Sequence, residues 1–213
     1  MLFDLDALPA SSRYKLLVST VVPRPIAWVV TQDAAGVLNA APYSFFNAFG
    51  SDPPIVAIGV GNRPDGAPKD TMANIAATGE FTICLVPETA LAAMNVTAAD
   101  FAPAEDEVAQ AGLTTIASTR VRPPRLAESP VAMECTLFQI VPIGGHSLVL
   151  GQVRAMHIAD AAVMDPAKCY IDSPALGLVG RMHGAGSYTR TADRIEVKRV
   201  SAAEWLARGP QPG

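Results

Sequence analysis

Apolar positions in this chain fall into short runs bounded by turn residues, and most runs have strand length. Ile26-Ala27-Trp28-Val29-Val30-Thr31 is the first. Asp33-Ala34-Ala35-Gly36 turns it, and Val37-Leu38-Asn39-Ala40-Ala41 returns as a second strand or extended arm. Ile55 to Val60 and Glu80 to Val86 are two further strands. Val131 to Ile140 is a long one, and Gly144-Gly145 turns into another at His146 to Ile158. Helices are expected at Ser11 to Leu17, through Met72 to Ala77, at Glu88 to Met94 and at Asp106 to Ala111. Pro42 to Phe49 reads as a loop crowded with aromatic and small polar residues. Val121 to Pro130 reads as proline-rich extended chain, Gly177 to Arg190 as a glycine-rich segment, and Ala192 onward as a polar tail.

Long apolar strands, tight turns and no regular βαβ alternation predict a mainly β fold with inserted helices. The expected form is a closed antiparallel barrel of six or more strands. The 213 residues suit a single domain, 1–213, with its core between about 10 and 200. The 18 prolines and 16 glycines suit many short strands and shaped loops.

Composition narrows the partners. Hydrophobic residues make up 50% and charged residues 17%, enough for a sizeable core. A net charge of −4 without any Lys/Arg block argues against nucleic acid or an anionic membrane as main partner. Three scattered cysteines form no disulfide framework, and no signal-like or membrane-length segment is seen, so a cytoplasmic location is expected.

One stretch carries distinctive chemistry. Asp65-Gly66 is a turn, Pro68 keeps Ala67 extended, and Asp70 or Thr71 is placed to cap a helix that Gly79 stops. Free N–H groups at such a helix start attract phosphate, with Lys69 and Thr71 adding a cation and a hydroxyl. By itself the stretch reads more readily as an ordinary capped helix than as a phosphate site.

Other machinery is missing. Gly59-Val60-Gly61-Asn62-Arg63-Pro64 places proline where a dinucleotide fingerprint needs its third glycine. No Walker A motif, nucleophile elbow or metal-ligand spacing occurs, and His146, His157 and His183 stand apart. His157 reads as structural or surface, and so, more often than as a ligand contact, does His146 after the Gly144-Gly145 turn. Glu105, Asp106 and Glu107 read as helix-start charges. Flavin chemistry needs no acid, base or nucleophile from the protein, only binding, orientation and electrostatics. The chain offers a candidate for each need: the Asp65 to Thr71 stretch for phosphate, Ser44 to Asn47 for donors, and Trp28, Tyr43, Phe45 and Tyr188 for walls.

The motifs Pro23-Arg24-Pro25-Ile26-Ala27-Trp28-Val29, Leu38 to Asn47, and Arg63 to Thr71 resemble those of the flavin reductase-like proteins, FMN-binding split barrels. Later blocks fit as well, among them Gly79-Glu80-Phe81, Glu128 to Cys135 and Leu150 to Val153. The resemblance implies a six-stranded antiparallel split barrel, a homodimer, and FMN near the subunit interface. It implies donors to phosphate and ring from Ser44, Phe45 and Asn47, and contacts to phosphate and ribityl oxygens from Lys69, Asp70 and Thr71. Pro25, Trp28 and Val29 would lie along the isoalloxazine beside Tyr43. Arg181, Met182 and Tyr188 would close its other side, although Arg181-Met182-His183-Gly184 departs from the family's usual double glycine. NADH or NADPH would be the hydride donor, with His146 or His183 as accessory hydrogen-bond donors. The resemblance leaves room for a monooxygenase partner. Rival readings are a flavoredoxin-like electron carrier and a split barrel that binds some other ligand or none.

Overall fold

A computed structural model describes residues 1–102 and 105–208 of the chain. Seven strands form one antiparallel sheet: β1 (Ala27–Gln32), β2 (Leu38–Tyr43), β3 (Phe46–Ser51), β4 (Pro54–Gly61), β5 (Glu80–Leu85), β8 (Val131–Ile143) and β9 (His146–Ile158). Their order is β2-β1-β5-β8-β9-β4-β3. Three small two-stranded units accompany it: β6 (Thr115–Ile116) with β7 (Arg125–Leu126), β10 (Val163–Asp165) with β11 (Tyr170–Ile171), and β12 (Val179–Arg181) with β13 (Tyr188–Arg190). The α-helices are α1 (Ala10–Thr20), α2 (Asp70–Thr78), α3 (Leu91–Val96), α4 (Glu107–Gln110) and α5 (Ala202–Arg208). Among the described residues no helix is long and apolar enough to cross a membrane.

The expected main strands are present, with one addition. Phe46–Ser51 pairs with β4 as a strand, whereas the sequence suggests a loop there. This edge strand is exposed along nearly its whole length, so it shows no buried-face alternation. The sheet therefore has seven strands rather than six. It is also not closed by hydrogen bonds, because β2 and β3 end the strand order at opposite edges. Only Ser44 and Phe45 join these two edge strands in sequence, and Phe45 O accepts the Gly59 N–H at 2.7 Å.

Both faces of the sheet's central part are covered, which is why β1 reads as an unbroken apolar run. Ala27, Val29, Ile58, Phe81, Ile83 and Val149 pack on one side with Met72 and Ile75 of α2. Trp28, Val30, Cys84 and Ala132 pack on the other with Met94 of α3 and Val108 of α4. Gly151 of β9 lets Phe81 approach; a Cβ there would lie 2.4 Å from the ring. The apolar cores thus fix α2, α3 and α4 around the N-terminal half of the sheet.

Helix α2 runs as the sequence suggests, ending at Gly79 with φ of 70° and a Gly79 N–H to Ile75 O bond. Its start differs. Lys69 is the N-cap and, having no acceptor, leaves the helix without a side-chain cap, while Asp70 inside the first turn pairs with Arg63. At α4 Asp106 is the cap, accepting from Val108 N and Ala109 N. The expected polar tail contains α5, whose Trp205 and Leu206 are exposed.

Candidate functional site

A cavity of about 730 Å³ lies between the end of β2, the 62–71 turn, Thr97 to Phe101, and Glu107 at the start of α4. Its wall includes Asn39, Tyr43, Arg63, Lys69, Asp70, Thr71, Thr97, Phe101 and Glu107. The turn is built locally. Gly66 has φ of 86°, Asp65 Oδ1 accepts the Ala67 N–H at 2.9 Å, and Arg63 N donates to Ala67 O at 2.8 Å. These bonds bring the chain into α2 with Lys69 at its head.

The electrostatics at that head favour an anion. Arg63 Nη2 donates to both Asp70 oxygens at 2.7 Å, so that pair is nearly neutral. Lys69 is exposed and makes no ion pair among the described residues. The uncapped N–H groups of α2 add their partial positive charge. Thr71 is 1% exposed, and its buried Oγ1 makes no well-formed hydrogen bond among the described residues, with the Tyr43 phenol beside it. Buried hydroxyls are seldom left so, and a ligand oxygen would satisfy this one. The residues present therefore fit a phosphate group.

Tyr43 stands close by. Burial pushes its phenol up to about 12, against a hydrogen bond with Thr71 that lowers it and with Asp70 and Glu107 adding to the rise, so it remains a donor at neutral pH. Trp28 is fully buried and supports the wall from behind. Its Nε1–H donates to Thr97 Oγ1 at 2.9 Å, and Thr97 Oγ1–H donates to Met94 O at 2.8 Å.

The structure distributes the expected site residues among distinct places. Tyr43, Lys69, Asp70 and Thr71 share the cavity just described. Phe45 and Asn47 border a second, apolar hollow of about 470 Å³, with Leu17, Phe49, Ile143 and His146 among its neighbours. Asn47 Oδ1 accepts the Ala48 N–H. Pro25 is exposed, whereas Trp28 and Val29 lie in the core with none of their surface free. Arg181, Met182 and Tyr188 sit on the β12–β13 hairpin, where Arg181 stacks over the Tyr188 ring at 4.8 Å.

Arg24 joins two of these places. It is buried, and it donates to Val18 O, Val21 O, Met182 O and Ser44 Oγ. Its backbone also bridges Arg181 in both directions. The sequence gives it no evident role, although an arginine between two prolines beside an apolar strand is the available signal. Glu107 likewise reads in sequence as no more than a helix-start charge, yet it is buried at the cavity wall.

Among the described residues no three His, Cys, Asp or Glu side chains gather as a metal site would need. Fold and cavity together give an open antiparallel sheet with a polar cavity at the start of α2. Residues 18–173 match the flavin reductase like domain, and the chain belongs to that family. Nitrilotriacetate monooxygenase component B from Bacillus cereus is 32% identical, with TM-score 0.87, covering 92% of this chain and 98% of its own. 2-Nitrobenzoate 2-nitroreductase from Pseudomonas fluorescens is 31% identical, with TM-score 0.86 and coverage of 95% and 98%. A split barrel domain protein from Shewanella frigidimarina shares the fold at 23% identity and TM-score 0.79, covering 94% and 100%.

Proposed function

We propose that the protein is an FMN-dependent oxidoreductase that takes hydride from NADH or NADPH. The observation that carries this reading is the meeting, at one cavity wall, of the uncapped start of α2, the buried Thr71 hydroxyl and Lys69, which makes no ion pair among the described residues. In this reading Lys69, Thr71 and the α2 N–H groups hold the phosphate, while Arg63 keeps Asp70 from repelling it. Tyr43 donates from the same wall. Ser44, Phe45, Pro25 and the hairpin with Arg181, Met182 and Tyr188 flank the ring, with Asn47 beyond them on β3. Trp28 and Val29 act from the core by fixing Thr97 and the sheet. Bound there, the flavin would supply hydride acceptance from a nicotinamide and onward electron transfer. The protein's share is binding, orientation and a dry wall.

The chain is proposed to work as a homodimer, with Phe45, Phe49 and Ile143 around the apolar hollow covered by a second copy. The likeness to a monooxygenase component supports a monooxygenase as one consumer of reduced flavin.

The test is an anaerobic titration of FMN-loaded protein with NADH and with NADPH. Bleaching of the flavin absorbance without added partner is expected. Bound FMN that neither nicotinamide bleaches would favour the electron carrier instead. Protein that takes up no FMN would overturn both.

A further inference from the structure

The cavity has a second polar feature that phosphate binding leaves unused. Glu107, in the first turn of α4, is 8% exposed and borders the same space as Lys69 and Thr71. Its Oε2 accepts the Ala40 N–H at 3.2 Å, and no Lys, Arg or His pairs with it among the described residues. An ionised carboxylate accepts about four hydrogen bonds. Buried and without a cation, it gains from further donors that bring no negative charge. Phosphate cannot supply these, since it would repel the carboxylate. Hydroxyl groups can, and an acidic side chain facing ribose-type hydroxyls is a familiar solution in nucleotide sites.

Resting on the flavin reading above, we propose that Glu107 is the specificity residue for the hydroxylated chain of the ligand, accepting hydrogen bonds from ribityl hydroxyls. The cavity would then be divided, with Lys69 and Thr71 for phosphate and Glu107 for the polyol. Asn39 lines the same cavity. The titratable neighbours are consistent with this division. Burial pushes the Glu107 carboxyl up from its ordinary range, and Asp70 and Asp106 push the same way. Hydroxyl donors would counter that shift.

Three flavins separate the contributions. FMN carries phosphate and polyol, riboflavin the polyol alone, and lumiflavin neither. Dissociation constants are read from quenching of flavin fluorescence by the intact protein. Glu107→Leu should weaken FMN and riboflavin about tenfold or more, to equal extents, and leave lumiflavin within about twofold. Glu107→Gln retains a carbonyl for the Ala40 N–H and guards against misfolding; it should weaken FMN and riboflavin about threefold and spare lumiflavin. Equal losses for all three flavins would reduce Glu107 to a strut between α4 and β2 and overturn the proposal. So would unchanged riboflavin affinity in both variants. If the wild-type protein binds lumiflavin and riboflavin equally, the polyol assignment falls while the flavin reading stands. If it binds none of the three, both fall.

Discussion

Single residues divide this cavity into parts with different chemistry. Lys69 is the cation there without an ion-pair partner among the described residues, since Arg63 is held by Asp70. A charge-assisted hydrogen bond contributes about 1.5–3 kcal/mol. Lys69→Ala should therefore weaken FMN roughly tenfold to a hundredfold and leave riboflavin nearly unchanged. Binding of the two ligands measured side by side checks this, and equal losses would take Lys69 away from the phosphate. This part of the site was legible, because turn, cation, hydroxyl and helix stop all lie in one stretch from Asp65 to Gly79. Glu107 was not legible. It meets Ala40 across 67 positions of chain, and nothing local distinguishes it from the cap charge Asp106. Trp28 shows the converse case. Its aromatic character suggested a ring wall, yet the strand places it in the core, where it reaches the cavity only through Thr97.

At the scale of elements, a second buried carboxylate holds the sheet to its covering loop. Glu134 of β8 is fully buried. It accepts from Thr119 N at 2.8 Å, Thr119 Oγ1 and Arg120 N, and pairs with His157 Nε2 of β9. Burial pushes its carboxyl up, but the bonds from His157, Thr119 and Arg120 prevail and bring it down to about 2. An unfolded glutamate titrates near about 4.3. The stabilisation it gives is thus complete above that value and is lost as pH falls toward about 2. Glu134→Gln should lower stability at pH 7 and flatten its decline between about pH 5 and 2, as read by denaturant unfolding across that range. An unchanged acid profile would show that other carboxylates dominate. The strands themselves were legible where a face is buried, as in β1, β5 and β9. Edge strand β3 was not, since its identity rests on pairing with β4 rather than on its own pattern.

Over the whole molecule, the open sheet leaves apolar surface around β3 and the β8–β9 turn. Phe49 is 68% exposed and Ile143 56%. Solvent-facing clusters of this kind mark interaction surfaces. Sedimentation should show a dimer at micromolar concentration, and Phe49→Asp should shift it toward monomer and weaken FMN. A wild-type monomer that retains FMN at full affinity would contradict a site completed by two subunits.

What the sequence determined by itself is everything set by neighbours in the chain. That includes the strand runs, the Asp65-Gly66 turn, the Gly79 stop, the Gly144-Gly145 turn and the motifs that resemble the flavin reductase-like family. Local sterics and the period of apolar positions are sufficient for those. Only the tertiary structure decided which long-range partners meet. It drew Asp70 to Arg63 and began α2 after Lys69, which has no acceptor to cap it. It separated β2 from β3 and made the sheet open. It also buried Arg24 between Ser44 and Met182, and Glu107 beside Ala40. Those outcomes depend on strand order and on the desolvation of particular side chains, and neither is encoded in any short stretch of the chain.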